Sequence, residues 1–206
     1  MNLDSRGCKL GILEDVICYS YKEYLELAMH LAESGSITGE KSILHIEATK
    51  INAQRLKRLN KHLTLNPQLL LEIQHITRDL IWVLLTETWC GDGAQCIPVI
   101  AGIAGQSDKI NLRIILRDEN PVIMNRYLTN DARAIPKLIV FDAQSGIEVG
   151  LWGLRPEKIS KLVRDLKGLQ PEISKDKFHE ILHLWYTRDK TNAIQDDFLN
   201  LLKNWN

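Results

Sequence analysis

Apolar positions along the chain recur with a helical period in the first region, up to about residue 78. Ser20-Tyr21-Lys22-Glu23 fits a capping box and predicts that a helix begins there. A second helix is predicted from Ser42 to about His62, and Asn66-Pro67 opens a third, shorter one. In the second helix, the apolar residues predicted to face inward are Leu44, Ala48, Ile51, Leu56, Leu59 and Leu63.

The middle region, residues 79–168, alternates between short apolar runs and helical segments, as α/β proteins do. Strands are predicted at Leu80–Thr86, Ile110–Leu116, 137–141 and 147–152. Helices are predicted from Ala94 to Ala104, from Asn120-Pro121 to near Leu128, and around residues 159–166. The last two strands are separated by only five residues, which favours a hairpin. The order β-α-β-α-β-β-α predicts a sheet that is parallel at its start and antiparallel at its end.

The third region, residues 169–206, carries two apolar stripes at helical spacing. The first stripe is Phe178, Ile181, Leu182 and Trp185, and the second is Ile194, Phe198, Leu201, Leu202 and Trp205. We therefore expect helical extensions at residues 1–78 and 169–206, packed on a core at 79–168 to give one compact domain.

Composition restricts the classes of function. The 206 residues have a formal net charge of zero and 45% hydrophobic content, which is typical of a soluble globular protein and favours neither nucleic acid nor a membrane as partner. No apolar run approaches the roughly 18–20 residues that span a bilayer. Cys8, Cys18, Cys90 and Cys96 are too few and too irregularly spaced for a disulfide framework, so we expect a reduced, cytoplasmic protein.

Cys90 lies between a predicted buried strand and a predicted helix, in the run Thr88-Trp89-Cys90-Gly91-Asp92-Gly93. Backbone N–H groups and the positive end of a helix stabilise a thiolate at such a turn. Asp92 opposes this effect by like-charge repulsion, and the motif contains no Lys, Arg or His. A reactive thiol and an unreactive remnant of the fold therefore both stay open.

The element order, together with Trp89-Cys90-Gly91, Pro98 and Ile135-Pro136, resembles the thioredoxin superfamily. This resemblance implies a thioredoxin-like α/β fold, with a central mixed sheet flanked by helices on both faces and helical extensions at both ends. It also implies that Cys90 is the nucleophile and that Ile135 and a cis Pro136 line a substrate groove. Trp89 would form an apolar wall of that groove, and residues 91–93 would offer N–H groups to the thiolate.

Further motifs are similar to a bacterial thioredoxin-like family whose members often keep only the first active-site cysteine. They are Thr-Glu-x-Trp-Cys-Gly-Asp, Leu116-Arg117-Asp118-Glu119-Asn120, Arg133–Pro136, Trp152-Gly153-Leu154-Arg155-Pro156 and Trp185-Tyr186-x-x-Asp189-Lys190.

The chain departs from thioredoxin at two positions. The second cysteine would fall at Gly93, and the buried acid that assists it would fall at Leu84. The expected function is monothiol exchange by Cys90 with a protein disulfide or a low-molecular-weight thiol, resolved by an external thiol and needing no cofactor. Such a protein is a thiol-disulfide oxidoreductase without its resolving cysteine. The alternative is a redox-inactive binding module with the same fold.

Three further residues are candidates for accessory roles at this site. Cys96 is either a core residue or a second thiol that pairs with Cys90. Arg133 and Arg155 are candidate contacts for an anion, on the basis of their proximity in the fold.

Two other patterns compete with the thiol site. His179-Glu180-Ile181-Leu182-His183 matches H-E-x-x-H, but without a plausible third ligand the histidines are predicted to be solvated and no metal is expected. Basic residues in the second helix include Arg55 and Arg58, with no acid between Glu47 and Glu72. They predict a solvated helix face or, alternatively, a surface for an acidic partner.

Overall fold

A four-stranded mixed sheet forms the centre of the protein, in a computed structural model that describes residues 10–39, 42–168 and 173–205. The strands are β1 (Leu80–Thr86), β2 (Ile110–Leu116), β3 (Lys137–Asp142) and β4 (Glu148–Gly153), in the order β2-β1-β3-β4. β1 pairs in parallel with β2, whereas β1 with β3 and β3 with β4 are antiparallel. The predicted α/β class and the change from parallel to antiparallel pairing are therefore confirmed.

The helices come before, between and after the strands. They are α1 (Tyr21–Ser34), α2 (Ile43–His62), α3 (Pro67–Gln74), α4 (Gly91–Ala104), α5 (Pro121–Met124), α6 (Glu157–Lys167), α7 (Lys175–Asp189) and α8 (Asn192–Trp205). A short 3-10 turn covers Gly11–Leu13. Within this described part, no helix is both long and apolar enough to cross a membrane.

Local sequence signals explain most of the helix ends. Ser20 Oγ accepts the N–H of Glu23, and the Glu23 carboxylate accepts the N–H of Ser20 at 2.7 Å, which is the predicted capping box. α4 begins at Gly91, earlier than predicted, because the Cys90 side chain caps it. α5 is one turn long and does not reach Leu128, where it was predicted to end. Leu128 is 39% exposed, so little burial of its side chain favours a longer helix.

The strand β1 is buried along its whole length and separates two hydrophobic clusters. Leu80, Trp82 and Leu84 belong to the cluster that α1, α3, α4 and α8 cover. Ile81, Val83 and Leu85 belong to the opposite cluster, with residues of α5 and β3. Alternate residues of a strand point to opposite faces, so a strand buried on both faces reads as a continuous apolar run.

The two terminal extensions contribute to the same core. Phe198 and Trp205 of α8 pack against the Trp82 ring of β1, with centroid distances of 5.5 and 5.9 Å. α2 packs on both α1 and α4. The site-bearing helix α4 is therefore held by elements from both ends of the chain.

The predicted inward face of α2 is wrong at Leu44 and Ile51 and correct at Leu56, which is fully buried. Leu44 and Ile51 are 80% and 49% exposed, and the buried residues are Thr49, Asn52, Ala53 and Leu56. Thr49 and Asn52 hydrogen-bond to Thr88, close to Cys90, and these polar contacts set the rotation of the helix. Apolar spacing misses such a face because its polar groups are buried but satisfied.

Candidate active site

Cys90 lies at the junction of β1 and α4, with only 7% of its surface exposed. Its Sγ accepts the N–H of Gly93 at 3.2 Å and donates to the carbonyl oxygen of Ile135 at 3.4 Å. The Ile135–Pro136 peptide bond is cis, and both residues are buried. The structure thus brings together Cys90, Gly93, Ile135 and Pro136, which are up to 46 positions apart in the sequence.

The environment of Cys90 favours the protonated thiol. Burial raises the pKa of Cys90 to about 12, and the negative charge of Asp92 contributes to the increase. The N–H of Gly93 and the charge of Arg155 act in the opposite direction but do not offset these effects. Donation from Sγ to the Ile135 carbonyl fits this state, because only a protonated thiol can donate.

Asp92 is the centre of a buried network beside the thiol. Its Oδ2 accepts from Nε and Nη2 of Arg155 at 2.8 and 2.7 Å, and its Oδ1 accepts from the Tyr186 hydroxyl at 2.8 Å. Two donors from one guanidinium and one from a phenol satisfy this carboxylate, which is 9% exposed. Arg155, a predicted anion contact, therefore binds a carboxylate of its own chain.

Arg133, the other predicted anion contact, is exposed. Its Nε donates to Asn125 Oδ1 at 2.9 Å, and its carbonyl oxygen accepts from Arg117. Arg133 takes no part in the network around Asp92.

Cys96 is fully buried on the face of α4 that carries Asp92, one turn further along the helix. Its Sγ lies 3.9 Å from the Tyr186 hydroxyl, and burial followed by the charge of Asp92 raises its pKa well above the usual value. Cys18, Cys90 and Cys96 are all free thiols, whereas Cys8 lies outside the described residues. With α4 helical from Gly91 onward, Cys90 and Cys96 are not bonded to each other.

Thr88, two residues before Cys90, connects the site to the N-terminal extension. Its carbonyl oxygen accepts from Asn52 Nδ2 at 3.0 Å, and its backbone N–H donates to Thr38 Oγ1 at 3.2 Å. Its hydroxyl lies within 3.3 Å of the hydroxyls of Thr38 and Thr49. These three partners position the segment that leads into Cys90, and sequence analysis missed all of them because each is a polar residue without a recognisable motif.

Trp89 is half-buried and fixed by polar neighbours. Its ring stacks on His45 at a centroid distance of 4.2 Å, and the Arg117 guanidinium carbon lies 4.7 Å from the ring centre. Its Nε1 donates to the Thr38 carbonyl oxygen at 3.2 Å. Trp89 is thus a rigid ring beside the thiol, with cationic and aromatic neighbours as well as apolar ones.

Gly91, at the start of α4, faces two basic side chains from the extensions. A Cβ at this position would lie 3.5 Å from His183 Cε1 and 3.7 Å from Arg55 Nη1. The predicted solvation of His183 is wrong: its buried Nδ1 finds no hydrogen-bond partner among the described residues, and burial lowers its pKa to about 4, with the charge of Arg55 as the next cause. His179 is exposed, as predicted.

The H-E-x-x-H pattern places its two histidine rings 6.2 Å apart on α7. The described ranges contain no group of three or more His, Cys, Asp or Glu side chains arranged to hold a metal ion. His183 instead contributes to the surroundings of the thiol.

Comparison with known proteins decides the family. A family model described as thioredoxin matches residues 42–167, more than half of the chain. The chain belongs to the thioredoxin family. No curated protein matches it.

Two solved structures share the fold of this thioredoxin-family chain. A protein of unknown function from Pseudomonas aeruginosa is 18% identical with a TM-score of 0.57, and the match covers 90% of this chain and 98% of the other. An HIV epitope scaffold is 16% identical with a TM-score of 0.60, and the match covers 96% and 98%.

Gly93 and Leu84, the two positions at which the chain departs from thioredoxin, lie in tightly packed surroundings. Gly93 lies in the first turn of α4, where a Cβ would be 3.4 Å from Cys90 Sγ and 2.7 Å from Thr86 Oγ1. Leu84 is a fully buried core residue. A buried acid is nevertheless present at Glu87, whose Oε1 accepts the N–H of Asp118 at 2.8 Å.

The Glu87 carboxyl group is buried and only partly hydrogen-bonded. Its Oε2 has no hydrogen-bond partner in the described part of the chain, and burial raises its pKa. Sequence analysis quoted Glu87 only as part of a motif and gave it no role, although an acid directly after a seven-residue apolar strand was a signal that could have identified it.

Proposed function

We propose that this thioredoxin-family protein performs thiol-disulfide exchange through one thiol, Cys90. The observation that carries the proposal is the position of Cys90 Sγ at the N-terminus of α4, between the Gly93 N–H and the Ile135 carbonyl oxygen. The first group stabilises a thiolate, and the second belongs to the backbone beside Pro136. A sulfur with a stabilising donor and an adjacent peptide edge suits attack on a disulfide held along that edge.

The exchange has two steps. The Cys90 thiolate attacks one sulfur of a substrate disulfide, which forms a mixed disulfide with Cys90 and releases the other substrate sulfur as a thiolate. An external thiolate then attacks the mixed disulfide, restores Cys90 and becomes part of a new disulfide. The sequence is an exchange: one substrate sulfur leaves as a thiolate and the other ends in a disulfide with the external thiol, so the number of disulfide bonds does not change. Gly93 provides no second sulfur, so the resolving thiol comes from another molecule.

Substrate docking offers a way to activate the resting thiol. In the free protein the S–H group donates to the Ile135 carbonyl oxygen, and this hydrogen bond stabilises the protonated form. An extended substrate segment beside Pro136 would present its own N–H to that carbonyl. The thiol would then lose its acceptor, while the Gly93 N–H would remain available to the thiolate.

The finer assignment follows from the motif around Cys90. We infer that the chain is one of the bacterial thioredoxin-like proteins that keep only the first active-site cysteine. Its partners would be protein disulfides or low-molecular-weight thiols in the cytoplasm, with no added cofactor. Ile135 and Pro136 would bind substrate, and Trp89 would border the groove.

Glutathione disulfide tests the proposal by mass spectrometry. A variant that keeps only Cys90 (Cys8→Ser, Cys18→Ser, Cys96→Ala) should gain one glutathionyl group and lose it again on addition of dithiothreitol. The matched control carries Cys90→Ser in addition to these three substitutions, so it contains no cysteine, and it should gain none at the same pH. Absence of the mixed disulfide in the Cys90-only protein at every pH up to 10 would refute the proposal.

A redox-inactive binding module is the second candidate. The high pKa of Cys90, about 12, favours it, because burial and the charge of Asp92 keep the thiolate population low. In this case the groove beside Pro136 would bind a partner without covalent chemistry. A Cys90→Ser protein that keeps full partner affinity, together with no adduct in the experiment above, would establish this alternative.

A further inference from the structure

A cleft separate from the thiol lies between α2, the end of α7 and the start of α8. Its volume is about 670 Å³, within the roughly 300–1,000 Å³ of typical small-molecule sites. Leu59, Leu63 and Leu65 supply apolar surface to it. These residues belong to α2 and to the segment that follows it, so the cleft lies outside the β-sheet core.

The ionisable Lys, Arg and His side chains that line the cleft are all basic residues. Arg58 and His62 come from α2, and Lys190 comes from the junction of α7 and α8. No Asp or Glu lines the cleft, and none of these three side chains forms an ion pair with a described residue. The neighbouring carboxylate of Asp189 accepts instead from the N–H of Ala193, at the start of α8. The positive charge of Arg58 and Lys190 is therefore available to bind an anionic ligand.

The walls of the cleft are tied together by Gln195, which is buried. Its Oε1 accepts the N–H of Asn66 at 2.6 Å, and its Nε2 donates to the Thr64 carbonyl oxygen at 3.2 Å and to Thr191 Oγ1 at 2.9 Å. These bonds join the segment after α2 to the α7–α8 junction. A cleft with walls fixed in this way is formed before any ligand arrives, which reduces the entropy cost of binding.

The junction that carries Lys190 has a strained backbone. Lys190 and Thr191 are consecutive residues with positive φ angles of 52° and 71°, a conformation that is unfavourable for a β-branched residue such as threonine. Strain of this kind concentrates at ligand sites, where the surrounding structure holds it in place. Here it positions Lys190 at the edge of the cleft.

We propose that this cleft binds a small organic anion with an apolar body, either a carboxylate or a phosphate monoester. The leucines would contact the apolar part, while Arg58 and Lys190 would bind the anionic group. Base stacking, on which single-stranded nucleic acid binding depends, has little support here, because the lining contains no Trp or Phe and its one Tyr, Tyr186, has its hydroxyl bonded to Asp92. The proposal is independent of any chemistry at Cys90.

Titration calorimetry with four eight-carbon probes tests the proposal on the full chain at low ionic strength. Octanoate and octyl phosphate should bind, while 1-octanol and octylamine should bind at least about tenfold more weakly, since charge-assisted hydrogen bonds are worth about that much. The preferred anion then separates a carboxylate from a phosphate ligand. Failure of both anions to bind, or equal binding of the alcohol or the amine, would overturn the proposal.

Variants of the basic residues locate the binding. Arg58→Gln and Lys190→Gln should each weaken binding of the preferred anion by about tenfold. Lys57→Gln is the matched control, because Lys57 precedes Arg58 on α2 and is exposed as Arg58 is, but it does not line the cleft. A loss of affinity that is the same in all three variants would show a general charge effect and would rule out this site.

Discussion

Gly93→Cys restores the missing second cysteine, and the structure shows what that change would meet. The new Cβ would lie 3.3 Å from Cys90 Cβ, close to the 3.5–4.5 Å range usual between the Cβ atoms of a disulfide. It would also lie 2.7 Å from Thr86 Oγ1, which is too close for a carbon atom. We therefore expect position 93 to be able to pair with Cys90 once Thr86 no longer obstructs it.

The expected magnitude follows from two opposing effects. A disulfide that closes a loop of only about four residues stabilises the folded state by about 2 kcal/mol in the chain-entropy description. Overpacking against Thr86, which is fully buried, costs about 1–3 kcal/mol. Oxidised Gly93→Cys should therefore have nearly the stability of wild type, whereas the reduced form should be destabilised by about 1–3 kcal/mol. The Thr86→Ala/Gly93→Cys double variant should recover much of this loss.

Thiol counting and urea denaturation, each with and without dithiothreitol, measure these effects. The oxidised double variant should lose two free thiols and be more stable than its reduced form. Gly93→Ser is the steric control, since it adds a Cβ without a thiol, and Thr86→Ala alone controls for the second change. If the double variant folds but keeps all its thiols under oxidation, position 93 does not lie where a resolving cysteine is needed.

Three further changes test the surroundings of the thiol. Asp92→Asn removes a negative charge that raises the pKa of Cys90, so the alkylation midpoint of Cys90 should move to lower pH; an unchanged or higher midpoint would contradict this reasoning. Tyr186→Phe leaves one buried oxygen of Asp92 without its donor and should lower the free energy of unfolding by about 1–3 kcal/mol in urea, and no loss would show that the hydrogen bond adds nothing. Glu87→Gln tests a raised carboxyl pKa: relative to this variant, wild type should gain stability as the pH falls from neutral, because its folded state binds the proton more tightly than its unfolded state. Parallel pH profiles of the two proteins would refute the Glu87 prediction.

Where hydrophobic pattern and turn chemistry agreed, the sequence predicted the structure closely. The strands β1 and β2 have their predicted bounds. β1 is an apolar run that is buried along its whole length, whereas apolar and polar residues alternate in the first half of β2. The resemblance carried by Trp89-Cys90-Gly91 and Ile135-Pro136 predicted which distant segments meet, and the structure places Cys90 beside Ile135. These features depend on local sequence or on a motif, and either can be read without coordinates.

The polar contacts around Cys90 could not be predicted in the same way. Asn52 and Tyr186 are single polar residues on long helices, and nothing in the spacing of either helix indicates that it faces the thiol. Arg155 was predicted to contact an anion, but which anion it meets depends on the side-chain positions at the start of α4. Arg155 and Asp92 are more than 60 positions apart in the sequence, so their pairing is decided by how the folded chain packs.

The reactivity of Cys90 is therefore set less by its own motif than by residues from both ends of the chain. The motif supplies one stabilising group, the Gly93 N–H, and one opposing charge, Asp92. Arg155 and Tyr186 donate hydrogen bonds to the Asp92 carboxylate and hold it in place beside the sulfur. Tyr186 comes from α7 and also lines the cleft between α2 and α8. A substitution far from the Trp-Cys-Gly motif can thus change the charge next to the thiol without touching the motif, so alkylation of Cys90 has to be compared between variants of the extensions as well as of the turn.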